Sequence, residues 1–113
     1  MVSVRGPDQA ASAELVMFES QACGWCVRWR QEVGSLYAGT AEGRRLPLRT
    51  VEGLHPPAGA SFTLERPVTY TPTFVVVDHD RERGRITGYA GDSLFWEALA
   101  RLIRDLDART GSE

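Results

Sequence analysis

The 113-residue chain is 42% hydrophobic and 25% charged, with a formal net charge of −2. That composition fits one globular domain with a real core. It offers no basic tract for a nucleic acid and no run near the ~18 apolar residues of a membrane span. Two cysteines are too few for a disulfide-built scaffold.

In chain order, residues 1–13 read as a flexible tail, with at most a few helical turns over residues 9–13. The tail has no apolar core of a signal peptide. If the protein is exported, its leader has been removed or replaced by Met1. Leu15-Val16-Met17-Phe18 is a continuous apolar run, as in a strand buried on both faces. Residues 19–22 leave the sheet. From Gly24 the period changes, and Cys26, Trp29, Val33, Leu36 and Tyr37 fall on one face of a helix that Gly39 stops.

Residues 40–47 are polar and read as a loop or an extra turn, and residues 48–51 as a second strand. Residues 52–60 hold two prolines and two glycines, which excludes a long regular element. A short helix is expected over residues 61–66. Residues 73–78 carry the strongest strand signal in the chain. Residues 79–83, with Asp78, His79 and Asp80, form a charged hairpin turn, and residues 84–89 the returning strand. Asp92 or Ser93 caps a last helix whose apolar stripe is Leu94, Phe95, Ala98, Leu99, Leu102, Ile103 and Leu106. The ordered unit is expected over residues 14–107, with residues 108–113 flexible.

The resulting fold class is α/β: β-α-β followed by β-β-α, a four-stranded mixed sheet flanked by helices on both faces. A right-handed crossover makes the first two strands parallel.

The two cysteines, Cys23 and Cys26, stand three apart at the start of the first helix. A bridge between them closes a tiny loop and does little to the entropy of the unfolded chain. Stability is a poor reason for the pair. A helix N-terminus, however, favours a thiolate over a thiol, through its free N–H groups and the helix dipole. Cys26 lies on the stripe that faces the core, and Cys23 precedes it at the exposed cap. Cys23 is therefore assigned the attack on a substrate disulfide and Cys26 the resolution of the mixed disulfide. Gly24 allows a tight path over the cap. Trp25 is assigned to a contact surface beside Cys23, against the alternative of a core aromatic. A zinc site needs about two further ligands. The only histidines, His55 and His79, fall in distant loops. No metal and no cofactor are expected. A pair of inert buried cysteines remains the bland alternative.

Thr71-Pro72-Thr73 is the second motif, because a proline here leads straight into an apolar strand. Together with the Cys-x-x-Cys at a helix start and the terminal β-β-α, it makes the chain resemble the thioredoxin superfamily over residues 14–107. The resemblance implies that Cys23 is the nucleophile and Cys26 the resolving thiol. It implies a cis bond before Pro72, with Thr71 lying against the disulfide, and it matches Gly88 to the family's glycine at the end of the last strand. Two departures stand out. Gly24-Trp25 replaces the Gly-Pro of thioredoxin, and Met17 replaces its buried aspartate. Glu19, two residues further on, points to the same face but reads as a solvated strand-end carboxylate.

Residues 15–19, 29–33, 40–44 and 66–74, and Gly88-Tyr89 with Phe95-Trp96, look like the SoxS proteins of bacterial sulfur-oxidation systems. That resemblance implies export to the periplasm and reduction of a protein thiol partner, the sulfur carrier SoxYZ, with recharging by a membrane thiol donor; the protein is expected to be a monomer. From the composition, no nucleic-acid partner and no membrane insertion are expected. The function expected is a thiol–disulfide reductase, with Trp25, Thr71, Tyr70 and Trp96 on the substrate side. The alternatives are a disulfide oxidase or isomerase, which needs the same residues, and a non-catalytic binding module on the same fold.

Overall fold

The computed structural model describes residues 13–111. The turns expected over residues 9–12 lie outside them. The strands are β1 (Ala13–Glu19), β2 (Leu48–Glu52), β3 (Thr73–Asp78) and β4 (Arg81–Thr87). They form one mixed sheet in the order β2-β1-β3-β4. β1 runs parallel to β2 and antiparallel to β3, and β3 antiparallel to β4. The predicted β-α-β and β-β-α units are both present. Ala13 is buried and already part of β1, one residue before the expected start of the ordered unit.

β1 is apolar throughout its centre because both of its faces are covered. Leu15 and Met17 enter one buried cluster with Phe74 and Val76. Val16 and Phe18 enter a second with Val75 and Val77. The first cluster takes most of its remaining side chains from the helices. These are α1 (Gly24–Trp29), α2 (Ser35–Tyr37), the short α3 (Ala41–Arg45) and the long α4 (Asp92–Gly111). Cys26, Trp29, Val33 and Tyr37 pack there against Phe95, Leu99 and Leu106. Among the described residues the second face carries no helix. Phe62 and Val68 cover it from an irregular segment. The sheet is flanked by helices as expected, but among the described residues they pack on one face rather than both.

The short helix expected over residues 61–66 does not form, because that backbone pairs with the hairpin instead. Thr63 bridges to Arg81, donating its N–H to Asp80 O at 2.8 Å and accepting from Glu82 N at 3.0 Å. The hairpin turn is tighter than expected. His79 and Asp80 alone make it, with φ of 53° and 67°, the backbone of a two-residue turn that suits strand twist. Arg81–Arg83 consequently belong to β4.

The first helical rod is also not a plain α-helix. Between α1 and α2, residues Arg30–Gly34 form a π turn in which Ser35 N–H reaches back to Arg30 O. The extra residue in that turn rotates the helical residues beyond it. Tyr37 lies on the buried stripe below Trp29 as expected, but Leu36, expected there too, is left 62% exposed. Leu94 is likewise exposed, since the core stripe of α4 centres on Phe95, Leu99 and Leu106. α4 runs to Gly111, so residues 108–111 are helical rather than loose.

Residues 40–47 contain α3. Thr40 caps it, with Oγ1 accepting the Gly43 N–H at 2.9 Å. Gly43 is pressed against the end of α2: a Cβ there would lie 1.9 Å from Tyr37 O. Tyr37 in turn donates its hydroxyl to Leu46 O at 2.7 Å, closing the corner. On helix propensity alone, Gly43→Ala should stabilise by ~1 kcal/mol. The contact with Tyr37 reverses the sign, and we expect a loss of about 1–3 kcal/mol. Denaturant midpoints decide the matter, and a stabilised variant would contradict the close approach.

Candidate active site

The register of β1 and β3 sets the site. Phe18 pairs with Thr73, so the chain leaving β1 and the chain entering β3 lie at the same end of the sheet. Thr87 also pairs with Thr73, which brings the end of β4 there too. Cys23 and Cys26 follow β1, Thr71-Pro72 precedes β3, and Gly88 follows β4.

Cys23 is the N-cap of α1, in extended conformation. Its N–H donates to Ser20 O at 3.1 Å, and its carbonyl accepts from Val27 N at 3.2 Å. The cysteines form a disulfide with a Cα–Cα distance of 5.2 Å. The Cys26 N–H points at Cys23 Sγ, 3.0 Å away. Cys26 is fully buried, and Cys23 is partly exposed. Only one sulfur of the pair is therefore open to a partner.

Behind Cys26 the core is apolar. Met17 is fully buried in the same cluster. Glu19 is not the solvated carboxylate expected from sequence. Its side chain is 17% exposed and is ion-paired with Arg30, one helical turn beyond Cys26. Among the described residues no three His, Cys, Asp or Glu side chains converge as metal ligands.

Trp25 is half exposed, not a core aromatic. The Arg28 guanidinium lies over its ring, 5.6 Å from the centroid. Such an exposed cation–π contact is worth about 0.5–1 kcal/mol. Arg28 Nε donates to Glu32 Oε2 at 3.0 Å, and the Tyr89 hydroxyl donates to Glu32 Oε1 at 2.5 Å. The Tyr89 hydrogen bond, and then Arg28, hold the Glu32 carboxyl below its ordinary range. Burial, helped by Glu32, pushes the Tyr89 hydroxyl well above its own. Sequence reasoning assigned Arg28 and Glu32 no role, although their i, i+4 spacing was visible.

At the same end of the sheet the Thr71–Pro72 bond is cis. Pro72 O accepts the Gly88 N–H at 2.7 Å, and Thr73 Oγ1 donates to Tyr70 O at 2.7 Å. Gly88 holds φ +85°, a conformation that favours glycine. The Tyr70 ring runs past it, 3.5 Å from where a Cβ would stand. Tyr70 is half exposed, Thr71 partly so, and Pro72 is buried. Tyr70 and Thr71 line a shallow depression with Ser20, Gly53, Leu54 and Thr69. Trp96, also a candidate for the substrate side, stacks instead on Tyr37, with ring centroids 6.0 Å apart.

The segment leading into Thr71 is braced from behind by a pair that sequence reasoning missed. Glu82 and Arg85 are three apart in β4, which strict alternation would put on opposite faces. A bulge changes that. Glu82 pairs with Val77 and Arg85 with Val75, so both sit on the face that Phe62 and Val68 cover. Arg85 Nε donates to Glu82 Oε2 at 2.7 Å, and both side chains are buried. The other donors of Arg85 reach Arg66 O at 2.7 Å and Pro67 O at 3.3 Å. Glu82 Oε1 accepts the Glu65 N–H at 2.8 Å.

No family model and no curated protein matches the chain. Solved structures do. The crystal structure of the periplasmic thioredoxin SoxS from Paracoccus pantotrophus, in its reduced form, is 44% identical, with a TM-score of 0.76, covering 80% of this chain and 95% of that one. The chain belongs to the thioredoxin superfamily. Fasciola hepatica thioredoxin is 24% identical (TM-score 0.59; 88% of this chain, 89% of that one). Malassezia sympodialis thioredoxin is 14% identical (TM-score 0.54; 88% and 84%). These last two share the fold alone. With its Cys-x-x-Cys disulfide on this fold, the protein is a thiol–disulfide reductase that acts on thiol or disulfide groups of proteins.

Burial raises the Glu82 carboxyl, but hydrogen bonds from Arg85 and from the Glu65 N–H outweigh it and hold the group below its ordinary value. A lowered folded value contributes stability above the unfolded glutamate pKa of about 4.3 and loses it as pH falls through the folded value. Denaturant unfolding at pH 7 should show wild type well above Glu82→Gln. At pH 3 the gap should narrow. A gap that stays constant would contradict the braced pair.

Proposed function

We propose that the protein reduces a disulfide or mixed disulfide on a periplasmic protein, with Cys23 as nucleophile and Cys26 as resolving thiol. The observation that carries this reading is the asymmetry of the pair: Cys23 partly open at the helix cap, Cys26 fully buried one turn on. In the reduced protein the Cys23 thiolate attacks one sulfur of the substrate disulfide and expels the other as thiolate. Cys26, losing its proton, then attacks Cys23 Sγ and expels the second substrate sulfur. Two electrons and the Cys26 proton pass to the substrate, whose other thiolate takes a proton from water, and the enzyme ends as the disulfide. The N–H of Cys26, aimed at Cys23 Sγ, stabilises the thiolate that starts the cycle.

Trp25, Tyr70, Thr71 and Pro72 supply the surface that receives the substrate chain, with Gly24 and Gly88 shaping the backbone on either side. Similarity to SoxS, named a periplasmic thioredoxin, supports work in the periplasm. It also supports, as partner, the sulfur-carrier protein SoxYZ blocked as a disulfide, and recharging by a membrane thiol donor. The pair is expected to be clearly more reducing than the roughly −120 mV of a strong oxidant such as DsbA.

Cys23→Ser should reduce insulin no faster than the uncatalysed background. Cys26→Ser should accumulate a mixed disulfide through Cys23 with oxidised SoxYZ, visible on a non-reducing gel and released by dithiothreitol. Activity retained in Cys23→Ser would overturn the assignment of the nucleophile. Failure of SoxYZ to be trapped, with insulin still reduced, would overturn the partner alone.

A further inference from the structure

Trp25, Arg28, Glu32 and Tyr89 form one continuous contact chain from the surface of the Cys-x-x-Cys turn into the core. At its inner end Tyr89 is buried and packs edge-on to Phe95, with centroids 6.4 Å apart. At its outer end the Trp25 ring is 48% exposed. Glu32 spends one carboxylate oxygen on each side, on Tyr89 and on Arg28. The ends belong to different parts of the chain. Trp25 sits between the cysteines, whereas Tyr89 directly follows Gly88, whose N–H is bonded to Pro72 O.

We infer that Glu32 is a positioning residue, which fixes Trp25 and the turn after β4 relative to one another so that a protein disulfide meets a preformed surface. The inference rests on the proposed role of Trp25 as a protein-facing side chain. A free tryptophan on an exposed first turn samples several rotamers, and ordering it at the moment of binding costs affinity. Arg28 over its ring removes that freedom beforehand. Arg28, itself a long exposed side chain, is held only because Glu32 is anchored by Tyr89. A small disulfide needs nothing beyond Cys23 Sγ. A protein disulfide covers the surrounding surface as well. Glu32 therefore acts on selectivity between the two, rather than on the thiol chemistry.

The test uses the pre-reduced protein and two probes, insulin and glutathione disulfide, and reads the ratio of their second-order rate constants. Glu32→Gln keeps the shape and loses the charge. Tyr89→Phe removes only the hydroxyl and leaves the buried ring, which keeps the question open to measurement if the first variant folds poorly. The contact is exposed and its loss modest, so the insulin-to-glutathione ratio should fall about three- to fivefold in each. Because the chain acts as a unit, the double variant should fall no further than the more affected single variant. Unchanged ratios in both variants, or effects that simply multiply, would overturn the inference. Trp25→Ala separates it from the reading beneath it. If Trp25→Ala lowers the ratio while Glu32→Gln and Tyr89→Phe do not, Trp25 faces the protein but Glu32 does not position it. If Trp25→Ala leaves the ratio unchanged, the protein-facing role itself fails and takes the inference with it.

Discussion

The antiparallel pairing of β1 with β3 is the constraint on which the rest of the molecule depends. With Phe18 opposite Thr73, the Cys-x-x-Cys turn and the Thr71-Pro72 turn share one end of the sheet, although 45 to 50 residues of chain separate them. A slip of one residue would exchange the two faces of β1. Met17 would leave the cluster that contains Cys26, and Val16 would replace it. The register is thus enforced by two buried faces at once. This is why β1 has no polar residue between Leu15 and Phe18, and why the two turns keep a fixed relation at that end of the sheet.

The two faces of the sheet are covered by different means. One is packed by helices, and its aromatic cluster of Trp29, Phe74 and Phe95 has centroids 5.0 to 5.6 Å apart. The other is covered by a segment without helix, which contributes few apolar side chains and must be tied by polar ones. A bulge in β4 supplies the tie by bringing Glu82 and Arg85 to the same side. Breaking such a buried pair leaves an uncompensated charge, which is costly. The segment leading into Tyr70 and Thr71 therefore hangs on an ion pair that lies behind it.

Much of this was legible in the sequence because it obeys periodicity. The strand at 15–18, the helix beginning at Gly24, the strand at 73–78 and the stripe of the last helix all keep simple repeats. The errors arose where one residue is added to a repeat or where a segment bonds sideways. The π turn after Trp29 kept Tyr37 on the stripe but turned Leu36 out of it, and the bulge near Arg83 put Glu82 and Arg85 together. Neither insertion changes composition. Residues 61–66 lost their expected helix to bonds with a hairpin that is distant in sequence, which no local pattern reports. At the site, the motif residues were identifiable from type and spacing, while Glu32 and Tyr89 matter only through a contact across 57 positions.

The disulfide spans one turn of one helix and bridges no two elements of the fold. Opening it unties no strand from its neighbour and frees no long loop. The oxidised and reduced proteins consequently present nearly the same outline. A partner that must tell the charged enzyme from the spent one has only a few square ångströms of sulfur on which to do so. Discrimination between the two forms is then a matter of chemistry at Cys23, while recognition of the partner can be shared by both.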